Sequence, residues 1–119
     1  MTFDEAGLLA VLDAASPDEL DAAPFGIISM DRSGTVTHYN ATEARLAAIA
    51  RDRVVGLNFF TDVGPCTNNY LIAGRYDEAD ALDEFVDFVF TFRMKPSPVR
   101  LRLLRAAGSD RQYLVVERR

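Results

Sequence analysis

Apolar positions recur along the chain with two different periods, and the period changes mark its elements. Phe3, Leu8, Leu9, Val11 and Leu12 suit a short amphipathic helix over residues 3–13, with carboxylates near its start. Ser16-Pro17-Asp18-Glu19 is a second helix start: Ser16 caps, Pro17 takes the first helical position and Glu19 lies three after the cap. Ala23-Pro24 stops that helix, and neither segment can bury a face alone, so the pair reads as a helical cap. Phe25–Met30 is a strand, Asp31-Arg32-Ser33-Gly34 a turn and Thr35–Tyr39 the returning strand. Asn40 caps a helix from Ala41 to about Ala50. After the polar break Arg51-Asp52-Arg53, Val54-Val55-Gly56 leads into a loop, and Asn68-Asn69 offers a cap for a helix from Tyr70 to about Leu82.

The last third alternates. Val86, Phe88, Phe90, Phe92 and Met94 fall on even positions, against Asp87, Thr91 and Arg93 on odd ones. Lys95-Pro96-Ser97-Pro98 turns the chain, Val99, Leu101 and Leu103 alternate with Arg100 and Arg102, and Ala107-Gly108-Ser109-Asp110 turns it again before a final strand over 112–117. Hairpin-linked strands are antiparallel neighbours. The expected fold class is α+β: a five-stranded antiparallel sheet with helices on one face and a short N-terminal helical cap.

The totals narrow the function classes. At 119 residues the chain is expected to be one domain, with residues 1–22 as cap and 25–119 as core. A formal net charge of −5 with no basic run leaves no footprint for nucleic acid or anionic membrane. No apolar run approaches the ~20 residues of a spanning helix, and the acidic start Met1–Glu5 lacks the basic region of a signal peptide. A cytoplasmic protein is expected. One cysteine and one histidine exclude an internal disulfide and argue against a transition-metal site. No nucleophile, base and orienting group lie at useful spacing and no phosphate-binding glycine loop is present, so the chain does not read as an enzyme.

The single cysteine, Cys66, follows Gly64-Pro65 on a loop beside Phe59 and Phe60. Taken alone it is a small buried hydrophobe, a reactive thiol or a covalent attachment point. Glu43 alone is a solvated helix residue and Tyr39 a strand-end aromatic. His38 reads as exposed, and Arg100 and Arg102 as the outer face of a strand. The five phenylalanines Phe59, Phe60, Phe88, Phe90 and Phe92 are core by default.

Tyr39-Asn40-Ala41-Thr42-Glu43, together with Gly56-Leu57-Asn58-Phe59-Phe60-Thr61-Asp62-Val63-Gly64-Pro65-Cys66-Thr67, resembles the photoactive yellow protein family of PAS-fold blue-light receptors. The Tyr39 to Cys66 spacing agrees with that family without a gap, and the likeness runs from about Phe25 to the C-terminus. The resemblance implies a p-coumaric acid chromophore, held as a thioester on Cys66. It implies that Tyr39 and Glu43 hydrogen-bond the phenolate oxygen, that Phe59, Phe60, Phe90 and Phe92 are aromatic pocket positions, and that Met94 lies near the chromophore. Ala47 stands where the best-known member has a threonine, and Ile49 where it has an arginine lidding the pocket, so no cation is expected over the pocket. These departures bear on absorption maximum and photocycle rate, which the residues leave open. The implied function is light-driven isomerisation, with proton transfer from Glu43 and release of the N-terminal cap. The implied partner is an unidentified downstream signalling protein, with the chain a monomer or weak homodimer. The alternatives are a PAS-type sensor or interaction module for another small ligand or none, and a thiol redox sensor using Cys66.

Overall fold

A computed structural model describes residues 1–91 and 95–119. The expectations for Phe92, Arg93 and Met94 therefore lie outside the described residues. Helix α1 spans Leu8–Ala14 and α2 spans Pro17–Ala22. The first begins later than its apolar pattern suggests, because Gly7 at φ 76° turns the chain immediately before Leu8. The second starts as expected: the Glu19 amide donates to Ser16 Oγ at 3.2 Å and the Ser16 amide to Glu19 Oε1 at 3.0 Å.

Strands β1 (Gly26–Asp31) and β2 (Val36–Tyr39) form the first hairpin. Asp31 builds its turn, accepting from the amides of Ser33 at 2.9 Å and Thr35 at 3.0 Å. Helix α3 spans Ala41–Ala47 and ends where Ala48 adopts a left-handed conformation, φ 56°. Short turns then carry the chain: a 3₁₀ turn at Arg51–Arg53, a π-helical turn at Phe59–Val63 and a 3₁₀ turn at Pro65–Thr67.

Helix α4 is only Ala73–Glu78, and β3 already begins at Leu82 (Leu82–Phe90). Its early end has a cause beyond local sequence. Arg105 reaches in from β4 (Ser97–Arg105), donates to the Tyr76 carbonyl at 2.7 Å and also takes the Ala79 carbonyl. It thereby satisfies the end of the helix from outside. Strand β5 is Arg111–Arg118.

The strands form one antiparallel sheet in the order β2-β1-β5-β4-β3, which places the last strand at its centre. Helices cover both faces, not one. Ile28, Met30, Tyr39, Leu101, Leu103, Leu114 and Val116 pack beneath Val54, Phe59, Phe60, Ile72 and Tyr76. On the opposite face Ile27, Leu104, Tyr113 and Val115 pack with Phe25 against Phe3, Leu8, Leu12 and Leu20 of the N-terminal cap. Strands buried on both faces need continuous apolar runs, and Ile27-Ile28 and Leu114-Val115-Val116 are such runs. Fully burying each of Leu8 and Leu12 contributes roughly 1.5–3 kcal/mol to docking the cap.

Because the cap covers that face, Arg102 is buried rather than on an outer surface. It holds Asp83 at 2.8 and 2.9 Å and donates to the carbonyls of Phe3 at 3.1 Å and Glu5 at 2.8 Å. Arg100 stays half-exposed, its guanidinium 4.4 Å from the Phe85 ring centre. His38 is likewise half-buried, 3.1 Å from Asp21, and not a free surface side chain.

Candidate functional site

The site is built around Asn40, between β2 and α3. Its side chain is fully buried and uses every hydrogen-bonding group it has. Oδ1 accepts from the amides of Ile27 at 2.9 Å and Glu43 at 3.0 Å, while Nδ2 donates to the carbonyls of Leu20 at 2.9 Å and Phe25 at 3.0 Å. Asn40 therefore caps α3 and also locks α3 to β1 and to the end of α2. The sequence shows only the first of these roles, because the other partners are distant along the chain.

This lock fixes the residues on either side of it. Tyr39 ends β2 with its ring buried, and its hydroxyl has no hydrogen-bond partner among the described residues. Glu43 lies one turn into α3 and is fully buried, its carboxyl lying against Gly26 of β1. Burial pushes the Glu43 carboxyl above its ordinary range, and the Arg118 guanidinium opposes that push. Burial also drives the Tyr39 phenol upward, helped by the Glu43 charge and opposed by Arg118. Each group is thus held toward its protonated form by desolvation.

Arg118 overturns the expectation that no cation reaches the pocket. Its Nη1 contacts Glu43 Oε1, and its Nη2 donates to Oε2 at 3.0 Å. The sequence does contain the signal. Leu114, Val116 and Arg118 alternate along β5 and so share one face, the face on which Leu114 and Val116 pack with Tyr39. In a terminal Arg118-Arg119 pair, composition alone suggests a solvated tail.

Phe90 is buried, with the Arg118 guanidinium carbon 5.9 Å from its ring centre. Ala47, Phe90 and Arg118, with Leu46, Ala48, Lys95 and Ser97, line a cleft of about 260 Å³. Tyr39, Glu43, Ala47 and Phe90 thus gather around one arginine.

Cys66, Ile49 and Phe59 approach from the loop side. Cys66 occupies the 3₁₀ turn at Pro65–Thr67, is half-buried and packs against the cluster that contains Tyr39 and Phe59. Thr67 steadies this turn, its Oγ1 donating to the Gly64 carbonyl at 2.6 Å, and Asn69 Nδ2 donates to the Cys66 carbonyl at 2.9 Å. Asn69 caps no long helix beside the thiol, since α4 begins only at Ala73. Asn58 shapes the approach to Cys66, its Oδ1 accepting from the amides of Phe60 at 3.0 Å and Thr61 at 3.2 Å. Phe59 and Phe60 then meet edge to face at 5.7 Å. Ile49 is half-buried on the same cluster.

No family model matches the chain. The photoactive yellow protein of Rhodothalassium salexigens is 35% identical over 103 residues, covering 84% of this chain and 82% of that protein. Among solved structures, the photoactive yellow protein domain of the sensor histidine kinase Ppr from Rhodospirillum centenum is 40% identical with a TM-score of 0.82, covering 91% of this chain and 97% of that one. The PAS domain of an HTR-like protein from Haloarcula marismortui is 15% identical with a TM-score of 0.70, a likeness of fold alone. A PAS fold, a loop cysteine and a buried tyrosine–glutamate pair, in a sequence with this degree of identity to such relatives, place the chain in one group: it belongs to the photoactive yellow protein family.

Proposed function

We propose that this chain is a blue-light photoreceptor that carries p-coumaric acid as a thioester on Cys66, and that residues 1–119 work as one domain. The observation that carries the reading is the Tyr39 hydroxyl, buried without a partner among the described residues and within the electrostatic influence of Glu43. A buried hydroxyl with nothing to bond costs free energy, and an oxygen anion brought within its reach would remove that cost.

When bound, the pigment supplies a light-driven trans–cis isomerisation and an oxygen anion whose proton affinity rises after it. Tyr39 would donate its hydroxyl hydrogen bond to that oxygen. Glu43 donates a second one while protonated, and burial favours its protonated form. Phe59, Phe90, Ala47 and Ile49 exclude water from the space, which strengthens both bonds. Cys66 holds the far end from its short turn, and Met94 is assigned to the pocket by the family pattern. Glu43 would be the group that holds the transferable proton, and on giving it up would keep a carboxylate on α3. The downstream partner is a signalling protein, consistent with the kinase context of the Rhodospirillum centenum domain.

The test is reconstitution of the full chain with activated p-coumaric acid. A yellow product is expected that bleaches in blue light and recovers in the dark. The Cys66 peptide should gain the mass of one acyl group, and Cys66→Ala should stay colourless. A colourless wild-type product, or label found elsewhere than Cys66, overturns the reading and leaves a PAS module for another ligand.

A further inference from the structure

Two groups need Glu43 in opposite states. Arg118 contacts both of its oxygens. Such a two-point grip from a guanidinium is strongest when both oxygens accept, which favours the ionised carboxylate. The Tyr39 hydroxyl has no partner among the described residues, and the photoreceptor reading requires a protonated Glu43 as second donor beside it. One carboxyl cannot serve both at once.

We propose that Arg118 is a positioning residue that exchanges with the pigment for Glu43: it captures the carboxylate whenever the proton has left, and yields it when the acid form is required beside Tyr39. The inference rests on the photoreceptor reading for its second half only, since the first concerns Arg118 and Glu43 alone.

The surroundings of Arg118 suit an exchange. Its side chain is 21% exposed while that of Glu43 is fully enclosed, so the arginine is the partner with room to move. It forms part of the wall between two clefts. One, of about 260 Å³, lies toward Phe90, Ala47 and Lys95. The other, of about 470 Å³, lies toward Phe25, Leu46 and the N-terminal segment, and Asp4 and Glu117 also line it. A guanidinium released from Glu43 therefore turns toward water and two carboxylates, and Lys95 lines the first cleft beside it. When Glu43 gives its proton to the pigment oxygen, the carboxylate left behind closes onto Arg118 and is not stranded in an apolar space. The event that propagates is the closing of this pair at the end of β5, beside the cleft that the N-terminal segment lines.

The first arm of the test uses the pigment-free full chain. Infrared titration of the Glu43 carboxyl, assigned by difference from Glu43→Gln, should show Arg118→Gln raising the midpoint by about 1–3 pH units, with Arg118→Lys restoring most of it. An unmoved midpoint in Arg118→Gln overturns the proposal. The second arm uses the pigment-loaded chain. Arg118→Gln should recover from the lit state about tenfold faster or more, because the carboxylate has lost its partner; recovery at the wild-type rate overturns the exchange. Failure of the wild type to take up colour defeats the photoreceptor reading and with it the pigment half of the exchange, while the infrared titration still decides whether Arg118 sets the state of Glu43.

Discussion

Gly26 and Glu43 share one volume. A Cβ on residue 26 would overlap Oε1 of Glu43 and stand 3.0 Å from its carboxyl carbon. The absent side chain on β1 is therefore part of the site, since it makes the space in which the acid is enclosed. Gly26→Ala should expel the Glu43 carboxyl toward solvent. Infrared titration of this variant should return the Glu43 midpoint toward the ordinary carboxylate range of about 4.3. Reconstituted protein should be shifted in colour or fail to bind pigment.

Tyr39→Phe separates the two roles of the phenol. In pigment-free protein it removes a buried hydroxyl that has no partner among the described residues, so stability should rise or hold, by about 0–2 kcal/mol in urea unfolding. With pigment bound, the same change should shift the absorption maximum. A large loss of stability in the pigment-free variant would show that the hydroxyl already has a partner.

The Glu43 carboxyl also predicts a direction with pH. Its folded midpoint lies above the unfolded one, chiefly through burial, so its contribution to stability is complete below about pH 4.3 and is lost as pH rises through the folded midpoint. Pigment-free Glu43→Gln has no such group and should lose less stability than wild type over that rise. Urea midpoints measured across the interval compare the two, and parallel profiles would contradict the raised midpoint.

Asn40→Ala strips four hydrogen bonds and leaves buried groups of β1, α2 and α3 unpaired. The expected loss is about 3–5 kcal/mol, at the upper end for a single substitution. Hydrogen exchange should show α3 opening together with the Ile27 amide.

Arg102 ties the N-terminal cap to the sheet through the carbonyls of Phe3 and Glu5. Arg102→Met keeps the apolar stem and removes these bonds, so limited proteolysis should cut within residues 1–23 faster while the rest of the chain stays protected. Unchanged cleavage would assign the docking of the cap to Leu8 and Leu12 alone.

Local signals carried the parts of the fold that local physics decides. The Ser16 capping box, the Asp31–Gly34 turn and the Asn40 cap each involve residues two to four apart, and all three form. The family resemblance singles out Tyr39 and Glu43 from the motif that contains them. What was not legible depends on distant partners. The end of α4 is set by Arg105, and the burial of Arg102 by a cap lying almost a hundred residues earlier. The pairing of Arg118 with Glu43 joins residues 75 apart. In each case an arginine that looks solvated by composition is claimed by backbone or carboxylate groups from another element. The cue that does survive in the sequence is the alternation of β5, which assigns Arg118 its side of the sheet.

That alternation makes β5 intolerant of length changes. Tyr113 reaches Asp13 of the cap at 2.6 Å, and Arg118, on the other side of the sheet, reaches Glu43. An added or deleted residue between the two would reverse the side of every following position. The arginine would then emerge among the leucines of the N-terminal helices, and the acid would lose its cation. Substitutions within 114–117 can be absorbed by repacking, whereas a single-codon insertion there would invert the molecule's wiring.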